Sequence, residues 1–226
     1  MTGSRTASCP VCGQALVPGP SPGARRCPNR WCRRPDRAFS VAFAAGVHQG
    51  ALRGAITRYK YRGEQGLAGA FAATLAAYLA AHPSWFEEFD LITAVPSYLG
   101  AGARRSWDPV GRILAALPDR LEGTGGGWAV LAGAVVKRCE TPGMAGLGWA
   151  ERQAVASGPL RRALLVPDPG VVAGSQILVI DDVLTEGSTL REVARALRRA
   201  GASDVAGLVL ARPPWLPAPP GAEPAP

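Results

Sequence analysis

Asp181 and Asp182 are adjacent carboxylates that directly follow four apolar residues, Ile177-Leu178-Val179-Ile180. The apolar run, largely β-branched, predicts a buried strand. Behind the acids comes Val183-Leu184-Thr185-Glu186-Gly187-Ser188-Thr189, and then a helical pattern over 190–200 that Gly201 is placed to cap. Strand, acidic pair, small hydroxyl-rich loop and helix start together suit a sugar phosphate. The loop's N–H groups would face the phosphate, Thr185, Ser188 and Thr189 would add hydroxyl donors, and Gly187 would let the backbone come close. Asp181 and Asp182 would accept from sugar hydroxyls and stabilise positive charge growing on the ring as a leaving group departs. A ribose with a phosphate at one end and a pyrophosphate at its anomeric carbon uses all of these groups, with Mg²⁺ neutralising the pyrophosphate. Pro96-Ser97, after another apolar run, offers a second backbone nest on the pyrophosphate side. Acidic pairs after a strand also occur in response regulators and nucleotidases, and a purely structural pair is the bland alternative. Neither a Walker-type loop nor a GxGxxG run is present, so those nucleotide-binding classes are not indicated.

A second constellation lies near the amino terminus: Cys9-x2-Cys12-x14-Cys27-x4-Cys32. Two close pairs of thiols across a Gly- and Pro-rich loop are what a four-thiolate zinc site needs. So little apolar material surrounds them that metal binding would itself supply the folding energy. Two disulfides, or free thiols in a loosely ordered leader, are the alternatives, and no secretion signal favours the first. With every ligand position filled by sulfur, the zinc would be structural. The module also carries Arg25, Arg26, Arg30, Arg33, Arg34 and Arg37 around Trp31. That composition suits phosphate contacts and base stacking on single-stranded DNA, or equally a solvated surface with one packed tryptophan. Cys139 reads as an ordinary core or loop residue.

Composition bounds the rest. The chain has 226 residues, a 47% apolar fraction, and a formal charge of +8 from 25 basic and 17 acidic side chains. Four thiolates on one Zn²⁺ would bring this to about +6. A basic balance permits nucleic acid or an anionic small molecule and does not choose between them. No apolar run reaches the roughly 20 residues of a membrane span, and a cytoplasmic location is the expectation.

The elements that must position these groups alternate. Phe39, Val41 and Phe43 predict a strand; 47–59 predicts a helix broken near Gly50 and Gly54; 64–81 predicts a helix burying Leu67, Phe71, Leu75 and Tyr78. Between them, Lys60 and Arg62 would meet a phosphate or lie solvated beside packed tyrosines. Residues 89–95 predict a strand, 109–117 a short helix, 129–136 part helix end and part strand, and 205–210 a last strand. The stretch 141–148, with Pro142, Gly143, Gly146 and Gly148, predicts an exposed, mobile loop before a short helix over 149–156. The outcome is an α/β fold, a mainly parallel sheet flanked by helices, with ligands beyond the carboxyl ends of its strands. The expected organisation is a zinc module over 1–38, the α/β body over 39–212, and a disordered proline-rich tail over 213–226.

The segment from Ile177 to Leu190 resembles the phosphoribosyl-pyrophosphate motif of type I phosphoribosyltransferases. Together with the four cysteines, Tyr59-Lys60-Tyr61-Arg62-Gly63 and Val95-Pro96-Ser97, it makes the chain resemble the ComF family from Cys9 to about Arg212. These are competence-associated, phosphoribosyltransferase-like proteins with an amino-terminal zinc module. The resemblance implies a type I phosphoribosyltransferase-like fold, with Asp181 and Asp182 as ribose-binding carboxylates and Val183, Leu184, Thr185, Glu186, Gly187, Ser188 and Thr189 as the 5-phosphate cradle. It implies that Val95, Pro96 and Ser97 begin the pyrophosphate loop, that Arg104 and Arg105 continue it, and that Lys137 and Arg138 open a hood running to Arg152. Structural zinc at Cys9, Cys12, Cys27 and Cys32, and Mg²⁺ bound with phosphoribosyl pyrophosphate or a related sugar phosphate, complete the implied cofactors. Two roles follow: a transferase of undefined acceptor, or a ligand-sensing protein working with single-stranded DNA and with competence or recombination proteins in DNA uptake. A zinc-stabilised scaffold with a relic pocket is a third. The chain departs from the family in Arg105-Ser106-Trp107-Asp108, in Pro142-Gly143-Met144 where a hood glutamine is expected, and in Glu186, which must turn its carboxylate away from a bound phosphate.

Overall fold

The structure, a computed structural model, describes residues 8–144 and 146–214. Residues 1–7 of the expected zinc module and 215–226 of the expected tail lie outside the described residues. Two short strands, β1 (Val17–Pro18) and β2 (Arg25–Arg26), pair antiparallel beside the cysteines. The body then runs β3 (Ala42–Val47), α1 (Gly50–Arg62), α2 (Ala68–Ala81), β4 (Leu91–Ala94), α3 (Pro109–Ala115), α4 (Pro118–Leu121), β5 (Ala129–Val130) and β6 (Val136–Lys137). It continues through α5 (Trp149–Val155), α6 (Arg161–Ala163), β7 (Leu164–Leu165), α7 (Pro169–Val172), β8 (Gln176–Val183), α8 (Ser188–Arg199) and β9 (Asp204–Arg212).

Five strands form one parallel sheet in the order β3-β9-β8-β4-β5, and β6 and β7 make a small antiparallel pair beside it. The period of two in a strand explains why its central strands are apolar throughout. Leu178 and Ile180 of β8, with Ala206, Leu208 and Leu210 of β9, pack against α1, α2 and α3 through Ile56, Phe71, Leu75, Leu79, Ile113 and Leu114. Ile177, Val179, Val205 and Val209 face the other way, onto Leu190, Val193 and Leu197 of α8. Each such fully buried Leu, Ile, Val or Phe side chain contributes about 1.5–3 kcal/mol as an upper bound. Gly207 sets the distance of α8 from the sheet, because a Cβ there would fall 2.5 Å from a Leu190 methyl.

Three expectations need correction. α1 is continuous through Gly54 and carries Tyr59-Lys60-Tyr61-Arg62, ending at Gly63 with φ +73°. An interior glycine costs about 1 kcal/mol, and burying Ile56 and Tyr59 on one face outweighs it. β8 runs on to Val183, so the acidic pair lies inside the strand rather than beyond it: Asp181 pairs in register with Val209 and Val183 with Ala211. The 141–148 stretch is not uniformly exposed, since Thr141 is buried. After α5 the chain widens into a π turn, Ala156–Leu160, at Pro159, whose missing N–H breaks the regular ladder.

Candidate functional site

Alternation along β8 sends the two neighbouring acids to opposite faces of the sheet. Asp182, with the parity of Leu178 and Ile180, turns toward α1, where its Oδ2 lies 2.8 Å from Lys60 Nζ. Burial alone would lower the Lys60 pKa; the Asp182 carboxylate outweighs it and the net shift is upward. Asp181 accepts the Asp182 N–H at 2.8 Å. Burial, and then the Asp182 charge, push Asp181 up to about 8, with Lys60 opposing. His48, just beyond β3, is pushed down by burial and then by Arg53 and Lys60, with Asp182 pulling the other way. Two acids, a lysine and a histidine therefore share one electrostatic environment at the carboxyl ends of β3 and β8.

The loop after β8 turns at Gly187, φ +88°, and α8 begins at Ser188. Among the described residues, the N–H groups of Thr185, Glu186 and Gly187 have no acceptor. Free amides beside a helix start are a ready anion nest. Glu186 turns its carboxylate away to Arg152 of α5, at 3.1 Å. From the same helix Gln153 Nε2 donates to Ser188 Oγ at 2.7 Å, and Thr189 Oγ1 lies 3.6 Å from Met144 Sδ. Met144, Arg152 and Gln153 thus lie against the loop and the start of α8.

The other named residues fall into two groups. Val95 extends the ladder by donating to the Ile180 carbonyl, and Pro96 leads into Ser97, whose hydroxyl donates to Asp108 at 2.9 Å. Arg105 donates to the Lys60 carbonyl at 3.1 Å and lies over the Tyr61 ring, so the basic pair and the tyrosine run meet. Arg104 and Lys137 converge on one carboxylate, Glu140: the Arg104 N–H is at 3.0 Å and Lys137 Nζ at 3.3 Å. Against the cost of burial, the N–H groups of Arg104 and Thr141 and the Lys137 charge pull Glu140 down to about 2. Lys60 was foreseen only as a phosphate contact or a solvated cation; the structure makes it the partner of Asp182. Asp108, Glu140, Gln153 and His48 were not foreseen at all. The only signal for Asp108 and Glu140 was their nearness in sequence to the two basic pairs.

The four cysteine sulfurs of the amino-terminal knuckle are buried and lie within 4.8 Å of one another. Cys12 and Cys27 Sγ are 3.6 Å apart, close to the roughly 3.8 Å edge of a tetrahedron with Zn–S bonds of about 2.3 Å. The donor set therefore fits zinc. Asp181 and Asp182 offer the oxygen ligands that Mg²⁺ takes, with one oxygen of each already engaged, which fits an ion held mainly by substrate oxygens. Trp31 is packed rather than displayed: it is 3% exposed, under the Arg191 guanidinium at 3.6 Å and beside Arg34 at 4.8 Å. Cys139 is exposed. Among the described residues no helix is long and apolar enough to cross a membrane.

Residues 129–220 match the phosphoribosyl transferase domain family. The fold is type I phosphoribosyltransferase-like. The match spans β5 to β9 and so contains the acidic pair, the amide loop and the 144–153 segment. The amidophosphoribosyltransferase of Synechocystis sp. is 46% identical over 44 residues, 20% of this chain and 9% of that protein. This chain thus spans a small part of that relative's length. Among solved structures, the glutamine phosphoribosylpyrophosphate amidotransferase from B. subtilis superposes with a TM-score of 0.35 at 22% identity, over 62% of this chain and 26% of that one. The hypoxanthine-guanine phosphoribosyl transferase of L. donovani superposes with a TM-score of 0.37 at 18% identity, over 63% and 69%.

Proposed function

We propose that the chain binds 5-phosphoribosyl 1-pyrophosphate and transfers its phosphoribosyl group, with Mg²⁺, to an acceptor still to be defined. The supporting observation is the free amide nest of Thr185, Glu186 and Gly187, set directly after paired acids at the end of a central parallel strand. In this reading the nest and the Ser188 and Thr189 hydroxyls hold the 5-phosphate. Asp181 and Asp182 hold the ribose hydroxyls, and Lys60 keeps Asp182 oriented. As the bond from the anomeric carbon to pyrophosphate breaks, the Asp182 carboxylate stabilises the cationic ring, joined by Asp181 as the growing positive charge draws off its proton, until the acceptor's lone pair closes on that carbon. Mg²⁺, when bound, neutralises the departing pyrophosphate. The Val95-Pro96-Ser97 turn, Arg104, Arg105 and Lys137 line the pyrophosphate side, and the 137–152 hood excludes water. We propose, from the four cysteines taken with Tyr59-Lys60-Tyr61-Arg62-Gly63, Val95-Pro96-Ser97 and the acidic loop, that the chain belongs to the ComF family, with a zinc module over 1–38, a transferase-like body over 39–212 and a tail over 213–226. Thiolates on zinc suit the reducing cytoplasm.

Calorimetric titration with phosphoribosyl pyrophosphate and Mg²⁺ tests the reading, followed by a pyrophosphate-release assay over nucleobases and small amines. The wild type should bind, and the Asp181→Asn, Asp182→Asn double variant should not; equal affinity rejects the assignment. Binding without release would select a sensing role. One observation favours a link to single-stranded DNA: Arg25, Arg26, Arg33 and Arg34 are exposed on one small module. Trp31 cannot stack on bases from its packed position, so that contact would be with phosphates and strongly salt-dependent.

A further inference from the structure

The anion loop leans on the cysteine knuckle. Asn29 stands between Cys27 and Cys32; its Oδ1 accepts the Trp31 N–H at 3.1 Å, starting the turn Arg30–Arg33, and its Nδ2 donates to the Glu186 carbonyl at 3.0 Å. Arg212, the last residue of β9 and 7% exposed, spans the same junction. It donates from Nε to Gln14 Oε1 at 2.6 Å, from one terminal nitrogen to the Cys12 carbonyl at 3.0 Å, and from the other to the Thr185 carbonyl at 3.5 Å. The two loop carbonyls belong to consecutive peptide groups, whose N–H groups are those of Glu186 and Gly187. In a trans peptide the carbonyl and the N–H point in opposite directions, and none of the described peptide bonds is cis. Drawing both oxygens toward the knuckle turns both N–H groups away from it. These are two of the three loop amides that find no acceptor among the described residues. Phe39 supports the same turn from below, 3.4 Å from where a Gly187 Cβ would stand.

We propose that the four-cysteine knuckle is the back wall of the anion loop, and that Asn29 and Arg212 are positioning residues aiming the Glu186 and Gly187 amides at the ligand's phosphate. This rests on the phosphoribosyl-pyrophosphate reading of the loop. It gives the zinc module a part in small-molecule binding that does not depend on nucleic acid.

The test uses the zinc-loaded full chain, titrated with phosphoribosyl pyrophosphate and Mg²⁺, with zinc content and amide resonances followed in parallel. Asn29→Asp keeps the acceptor for the Trp31 N–H and removes the donor to Glu186; Arg212→Lys keeps the charge and loses the fork. Each variant should retain one zinc per chain, bind about 5-fold to 10-fold more weakly, and show smaller ligand-induced shifts at the Glu186 and Gly187 amides. Wild-type affinity in both variants, with zinc retained, overturns the proposal and leaves the functional reading standing. Absence of binding by the wild type brings down both. If Asn29→Asp sheds its zinc, Arg212→Lys decides alone.

Discussion

At the scale of single residues, Asp181 is held in a position that disfavours its charged form, through burial and the neighbouring Asp182 charge. Its pKa in the fold, about 8, lies above its ordinary 3.8, so the folded state holds a proton the unfolded state has released. The stability contributed by that protonated form is complete below the unfolded value and is lost as pH rises through about 8. Asp181→Asn should therefore raise the Tm, by a margin that grows between about pH 5 and about pH 8 and reaches the order of 1 kcal/mol, while ligand binding is lost. Thermal melts across that range check it, and a pH-independent gain would contradict the burial. Lys60→Met should act the other way, destabilising by about 1–3 kcal/mol because Asp182 is left buried without its partner. Urea unfolding should show that Lys60→Met combined with Asp182→Asn recovers part of that loss. The acids themselves were legible in the sequence, since carboxylates after a β-branched run are rare without a reason. Their unlike environments were not: which face each acid takes depends on strand register, and residue 60 is brought to residue 182 only by the packed sheet.

Elements account for how the loop and the hood are held. α8 lies close on β9 because Gly207 leaves room for Leu190, so Gly207→Val should lower stability by about 2 kcal/mol or more, readable as a fall in Tm. Ahead of α5, Glu140 gathers Arg104, Lys137 and the Thr141 N–H around one carboxylate. Glu140→Gln should free these donors and tighten pyrophosphate binding by about 3-fold or more, measured by direct titration. Unchanged affinity would mean that the two cations do not face the ligand. β4, β9 and α8 were read from periodicity with nearly their observed limits, whereas β3 starts only at Ala42 and β8 runs three residues past its apolar run. α1 was not, because Gly50 and Gly54 look like breaks until the burial of Ile56 and Tyr59 is known, and Glu140 sits in a stretch without any period.

At the scale of the whole molecule, the knuckle packs against the sheet domain among the described residues. The Ala42 N–H donates to the Val11 carbonyl, Arg191 lies on Trp31, and Arg30 lies over Trp149. With zinc loaded on the four cysteines, as their spacing allows, stripping it with a chelator should therefore lower the Tm of the chain by several degrees and broaden a single transition. Two independent calorimetric transitions would show instead that the knuckle is a detachable appendage.

Arg212 fastens the carboxyl end of the last strand to Cys12 and Gln14 near the start of the chain. During synthesis the knuckle residues emerge well before β9, so the part of their docking surface that Arg212 supplies is missing until residue 212 is free to fold. A segment that precedes β9 by the whole length of the sheet domain is therefore fully seated only once β9 has joined the sheet.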